Sequence, residues 1–156
     1  MAKDLKALGW REWVTLPALG IQHVKAKVDT GARTSALHAF QLERSQRDGM
    51  EIARFQIHPF QRNSNITLTC EAQVVDERTV TDSGGHREQR PVILTPIRIG
   101  DEEWEIEMTL TERDSMLFRM LLGRTALRGR FAVNPGRSFL FGKPDLDSRR
   151  PGWRKP

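Results

Sequence analysis

An apolar rhythm of period two runs through most of this chain and limits what it can fold into. Glu103-Trp-Glu-Ile-Glu-Met-Thr-Leu110 alternates without a fault. Ile66, Leu68, Cys70, Ala72 and Val74 alternate with Thr67, Thr69, Glu71 and Gln73, and Ala53, Phe55 and Ile57 alternate with Arg54 and Gln56. Successive side chains on a strand point to opposite faces, so this pattern buries one face of a sheet and leaves the other in water. Val24 to Asp29, Val92 to Ile99 and Phe139 to Phe141 are shorter strand candidates, separated by turn-rich pieces such as Arg47-Asp-Gly49, Asp82-Ser-Gly-Gly85 and Asn134-Pro-Gly136. Only Ser115 to Leu127 has helical spacing, with Met116, Met120 and Leu127 on one face. Gly123 interrupts it, so the expectation is a short helix after that glycine. The class is mainly β.

A chain of 156 residues fits one domain that buries a core without metal or disulfide staples. The expected domain covers residues 1–142. Residues 143–156, rich in proline and charge, are expected to form a loosely ordered basic tail. The single cysteine, Cys70, has no internal partner and points to a reducing compartment, so cytoplasm is expected. No apolar run approaches the roughly 20 residues needed to cross a bilayer, and Met1-Ala-Lys-Asp-Leu-Lys lacks a signal-peptide core, so no membrane association is expected. Lysine and arginine outnumber acids 25 to 20, a net charge of +5 that favours acidic partners without specifying which.

Val28-Asp29-Thr30-Gly31-Ala32 puts a carboxylate at the end of a strand, followed by a hydroxyl and a glycine that lets the backbone turn and approach another chain. Alone, such a short string is weak. Here an apolar strand precedes it, and Met120-Leu-Leu-Gly-Arg-Thr-Ala-Leu127 follows several strands later, a much rarer combination.

With these pieces the sequence resembles the retropepsin-like peptidases of the RimB type, a family long labelled "ATP-dependent zinc protease". The matching text is Gly9-Trp-Arg-Glu12, Leu16-Pro, Lys25-Ala-Lys-Val-Asp-Thr-Gly-Ala-Arg-Thr-Ser-Ala-Leu-His-Ala39, Arg90-Pro-Val92 and Leu121-Leu-Gly-Arg124. The resemblance implies a single-lobed acid-protease fold, a closed β-barrel with one short C-terminal helix. It also implies an aspartic endopeptidase that works as a homodimer with one Asp29 per subunit. Asp29, Thr30 and Gly31 would be catalytic, Thr30 would bond across the dimer, and Leu121, Leu122 and Gly123 would buttress the Asp29 loop.

The chemistry needs two carboxyl groups around one water. Asp82-Ser83-Gly84 is a weighed second aspartate, but the polar run around Val80 and the little chain remaining favour a flap, with Gly84 and Gly85 at the tip of a hairpin over substrate. A two-fold dimer then supplies the second Asp29.

Lys27 lies two residues before Asp29 and shares its face, with Lys25 one step further away. Arg33, Arg124 and His86, with Arg87 beside it, add to an expected cationic cleft that reads glutamate side chains. The resemblance points the same way, towards α-linked polyglutamate, as on a glutamylated tail of a ribosomal protein. The bland reading makes Lys25 and Lys27 a solvated face and pairs Arg124 with Asp114 or a terminus.

The zinc in the old label finds no support, because His23, His38, His58 and His86 are scattered and no His-Glu-x-x-His pair is present. No metal and no cofactor are expected. His38 is read as a hydrogen-bonded residue behind the catalytic loop. The ATP in the label lacks a phosphate loop. The competing function is a β-rich module that binds RNA or a ribosome through Arg149, Arg150, Trp153, Arg154 and Lys155, with Trp10, Trp13 and Trp104 left to core or interface.

Overall fold

A computed structural model describes residues 5–60, 66–82, 84–112 and 118–143. The strands in chain order are β1 (Lys6–Leu8), β2 (Arg11–Leu16), β3 (Ile21–Asp29), β4 (Ser35–His38), β5 (Phe40–Arg47), β6 (Met50–Ile57), β7 (Leu68–Thr81), β8 (Arg87–Ile99), β9 (Glu102–Thr111), β10 (Met120–Gly123) and β11 (Phe131–Val133). One α-helical turn, α1 (Arg124–Leu127), follows β10. The expectation of a mainly β chain with a short helix after Gly123 holds.

Nine strands form one sheet in the order β2-β3-β10-β4-β9-β8-β7-β6-β5. An additional pairing of Thr15 on β2 with Arg98 on β8 brings the sheet back on itself, which makes it ring-like. The expected barrel is thus met as a ring closed at a narrow seam, with β7, β6 and β5 running out from it. β1 and β11 pair in parallel as a separate small sheet.

Local chemistry explains these elements. Arg47 faces Met50 across the β5–β6 turn, and Asp48 and Gly49 between them have φ of 53° and 79°. Such left-handed pairs match the twist of a two-residue hairpin and favour Asp-Gly. On β3, Val24, Ala26 and Val28 point inward, while Lys25, Lys27 and Asp29 lie on the other face. Phe55, Ile93, Ile97, Ile99, Met108, Leu110 and Met120 are fully buried and belong to one core.

Three expectations are corrected. Met120–Gly123 is a strand, so the helical spacing read over Ser115–Leu127 is real only from Arg124, and Ser115 to Leu117 lie outside the described residues. Phe139–Phe141 is not a strand. Phe139 has φ 55°, and the backbone N–H groups of Leu140 and Phe141 donate to the Glu12 carboxylate at 2.9 and 3.2 Å, which leaves no ladder to join. Ile66 and Thr67 precede β7, which runs on to Thr81, beyond the alternating segment. Residues 144–156, the body of the expected tail, lie outside the described residues. Among the described residues no helix is long and apolar enough to cross a membrane.

Cys70 is buried on β7 and its Sγ donates to the Leu19 carbonyl at 3.3 Å. Burial pushes its thiol up from 9.0 to about 11. Two outcomes follow. Iodoacetamide at pH 8 should label urea-unfolded chain and spare the native one. A neutral buried thiol stabilises the fold fully below pH 9, and this contribution is lost as pH rises towards about 11. Urea midpoints should therefore fall more steeply over that window in the wild type than in Cys70→Ala. Equal slopes, or rapid labelling of native protein, would contradict the buried thiol.

Candidate active site

Asp29 ends β3, where the strand breaks into a turn: the Ala32 N–H donates to the Asp29 carbonyl at 3.2 Å and the Gly31 N–H donates to Asp29 Oδ1 at 3.0 Å. The second carboxylate oxygen has no hydrogen-bond partner among the described residues. Thr30 sits exposed on the turn.

β10 runs parallel to β3 and sets the turn in place, with Leu121 opposite Lys27, Leu122 opposite Val28 and Gly123 opposite Asp29. Gly123 N–H donates to the Oγ of fully buried Ser35 at 2.9 Å. A Cβ on Gly123 would lie 2.6 Å from the Thr34 carbonyl carbon and 2.8 Å from the Ser35 nitrogen. Beyond it, the backbone N–H of Arg124 donates to the Ala32 carbonyl at 2.8 Å, and that of Thr125 to the Arg33 carbonyl at 3.0 Å. The Arg124 guanidinium donates to the Thr30 carbonyl at 3.3 Å. Arg124 therefore braces the turn and does not line the cleft; Asp114 lies outside the described residues.

A cleft of about 1040 Å³ opens beside Asp29. Gly31, Ala32 and Arg33 form one wall, residues 77–82 of β7 and its hairpin form the other, and Ala36, Thr109 and Leu121 line it between them. Its charge is mixed, where the sequence suggested a cationic cleft. Arg78 grips Glu107 through two bonds of 3.1 and 2.6 Å and reaches Asp76 at 3.2 Å. The hydrogen bond to Glu107 is the main cause that raises its pKa. Arg90 lies 3.4 Å from Glu88, whose oxygens accept the Thr111 hydroxyl at 2.7 and 3.0 Å. Glu77 pairs with Arg44. Arg33 is different: among the described residues its guanidinium has no ion-pair or hydrogen-bond partner.

Asp82 also lines the cleft, but its carboxylate caps the β7–β8 hairpin. Oδ1 accepts the N–H groups of Gly84 and His86 at 2.9 and 2.8 Å, and Oδ2 lies 3.3 Å from His86 Nδ1. Gly85, with φ 84°, completes the turn. Ser83 is outside the described residues. Gly84, Gly85 and His86 thus form the hairpin tip without lining the cleft, and His86 opens instead on a hollow shared with Arg87, Glu88 and Glu112. Lys27 is exposed beside the cleft, next to the lining residue Leu121.

One positioning residue escaped the sequence reading. Glu12 is fully buried on β2 and accepts the N–H of Gly9 at 2.7 Å, besides those of Leu140 and Phe141. It fixes the bend whose Trp10 carbonyl takes the Val28 N–H at 2.8 Å, one residue before Asp29. An acid at an inward position between Arg11 and Trp13 was the available signal. His38 is buried on β4, and Trp104 is a core residue that donates to the Ala126 carbonyl at 3.0 Å. Among the described residues no three His, Cys, Asp or Glu side chains converge as a metal site. The tail residues Arg149 to Lys155 are outside the described residues.

Residues 7–144 match a family described as the retropepsin-like aspartic endopeptidase RimB. Curated relatives carry the name "probable alpha-L-glutamate ligase". One from Shewanella pealeana is 46% identical over 148 residues, 94% of this chain and 32% of the relative. Another from Desulfotalea psychrophila is 40% identical over 150 residues, 95% of this chain and 32% of the relative. The chain spans about a third of the length of these relatives. The crystal structure of a Legionella pneumophila protein of unknown function superposes with a TM-score of 0.74 at 28% identity, covering 88% of this chain and 99% of that one.

The contact at Gly123 gives a direct expectation. Gly123→Ala would press a methyl group on backbone atoms that cannot swing aside, and should lower stability by about 1–3 kcal/mol, read from urea unfolding. A loss under about 0.5 kcal/mol, the level of an inconsequential surface change, would show that β10 does not pack on the turn this closely.

Proposed function

This chain belongs to the RimB-like family of retropepsin-like aspartic endopeptidases, and on that footing we propose that it hydrolyses peptide bonds as a homodimer on α-linked polyglutamate. The observation that carries the proposal is the contrast between two aspartates of one cleft. Among the described residues Asp29 holds one carboxylate oxygen free of partners on an exposed turn, whereas Asp82 is tied to its own hairpin tip. With Glu77 paired to Arg44, Asp29 is the one carboxyl of this cleft left available among the described residues, and the reaction needs two.

Across a two-fold axis the Asp29 carboxyls of both subunits would flank one water. The ionised one takes a proton from the water as its oxygen attacks the peptide carbonyl, while the protonated one donates to the carbonyl oxygen. Collapse of the tetrahedral diol then expels the amine, which leaves with a proton returned by the carboxyl pair. Gly31 N–H steadies the Asp29 carboxylate, and Arg124 with Gly123 holds the loop that carries it. The β7–β8 hairpin, capped by Asp82, would close over the bound chain.

The acidic substrate is supported by Arg33, a cation in the cleft wall without a carboxylate of its own, and by Lys27 next to the Leu121 lining. The name that the relatives carry, probable alpha-L-glutamate ligase, points to glutamate as the residue in question. We assign to this chain the hydrolytic step on such chains.

Wild-type protein should cleave oligoglutamate with or without a chelator, since carboxyls activate the water. Asp29→Asn should reduce the rate by about 10²–10⁴-fold. Arg33→Ala should lower kcat/KM roughly tenfold for acidic peptides and leave neutral ones little changed, because one charge-assisted contact to substrate is lost. Mass spectrometry of the products would read all three. Activity lost to chelator and restored by zinc would reject the aspartic mechanism, and undiminished activity in Asp29→Asn would reject Asp29.

A further inference from the structure

The face of β3 that carries Asp29 continues away from the cleft as a row of cations. Lys27 and Lys25 stand at alternate positions on β3, and across the antiparallel pairing Arg11 faces Lys27 and Trp13 faces Lys25. Register partners project to the same side, so these residues form one outward patch. Aromatic rings hold several of the cations in position. The Arg11 guanidinium lies 4.6 Å from the Trp10 ring and 4.8 Å from the Phe139 ring. The Lys25 ammonium lies 5.2 Å from Trp13, and Lys143 lies 5.2 Å from Phe139. Trp13 and Phe139 are themselves stacked, with centroids 6.4 Å apart. Among the described residues no carboxylate is within ion-pair distance of Arg11, Lys27 or Lys143. The nearby acid, Glu12, points inward and is engaged by backbone N–H groups.

Resting on the polyglutamate reading above, we propose that this β2–β3 face is an exosite that holds the acidic flank of the substrate while the scissile bond sits at Asp29. The spacing fits. Same-face side chains on an extended peptide recur about every 7 Å, the interval at which Asp29, Lys27 and Lys25 recur on β3. The ring contacts hold Arg11, Lys25 and Lys143 in place before a ligand arrives, which reduces the ordering that binding demands. The rings are faced by these cations, so base stacking, on which single-stranded nucleic acid relies, is less accessible here than carboxylate contact.

The test measures binding to Asp29→Asn protein of residues 1–156 by fluorescence anisotropy with labelled oligoglutamates. Lengths of about four and about twelve residues are chosen because, at roughly 3.4 Å per residue, only the longer reaches well past Lys25. The longer peptide should bind at least about fivefold more tightly. Arg11→Gln with Lys143→Gln should remove most of that advantage while changing the shorter peptide by less than about twofold, the size expected for exposed pairs. Arg128→Gln, an exposed cation after α1, should preserve the advantage. Lys143→Gln alone, which removes one exposed cation of the patch and whose side chain touches the Phe139 ring, should shift binding in the same direction if the double variant unfolds.

A length advantage that survives both Lys143 variants overturns the exosite and leaves the cleft reading intact. Failure of active wild type to cleave any oligoglutamate rejects the substrate and the exosite together. Tighter binding of an oligouridylate of matching length than of the long oligoglutamate assigns the face to nucleic acid and overturns the proposal.

Discussion

The approach of Gly123 to the backbone at Thr34 and Ser35 is the contact on which this structure depends. With only hydrogen on its α-carbon, Gly123 lets β10 enter between β3 and β4, where a methyl group would meet backbone atoms at 2.6 and 2.8 Å. Three consecutive residues then hold the Asp29 turn: Gly123 through Ser35 Oγ, Arg124 through the Ala32 carbonyl and Thr125 through the Arg33 carbonyl. The turn's own bonds at Gly31 and Ala32 are short-range, so they could not fix its position against the sheet. The parallel register with β10 does that.

Charge is distributed on the same principle of local closure. The cations of the hairpins are neutralised within the sheet: Arg78 by Glu107 and Asp76, Arg90 by Glu88, Arg47 by Glu71. Asp82 is absorbed by the tip it caps. What is left open around Asp29 is a smaller set, Arg33 in the cleft wall and Lys27 with Arg11 on the adjoining face. A net charge of +5 does not reveal this pattern, because it does not distinguish the arginines that are ion-paired within the sheet from those left open.

The sequence was legible where one face of a strand is wet. Glu103 to Leu110 lies inside β9, and Ala53 to Ile57 inside β6, because polar residues mark the outward positions. It was illegible where a strand is short or covered. All four residues of β4 are buried, so no alternation exists to read, and the Met-Leu-Leu-Gly of β10 passed for helix because a short apolar run has no period of its own. Phe139 to Phe141 misled in the opposite sense, since a short apolar run between turn residues suggests a strand but Glu12 captures the N–H groups of Leu140 and Phe141. At the site, Asp29 and its glycine-bearing buttress could be found from motif and order. The pairing of Arg78 with Glu107 joins residues 29 positions apart, and Arg124's bond to the Thr30 carbonyl spans 94. Partners that distant are set by topology, which residue types alone do not disclose.

Two subunits are proposed to share one catalytic pair, and subunit mixing tests this sharing most directly. Wild-type and Asp29→Asn chains are combined at fixed total concentration under exchange, with mixed dimers verified by native mass spectrometry. Asparagine can neither share the proton nor act as general base, so a mixed dimer holds half a pair and is strongly impaired. Oligoglutamate cleavage should then follow the square of the wild-type fraction. A linear dependence, with exchange verified, would contradict the shared site and place the whole reaction within a single chain.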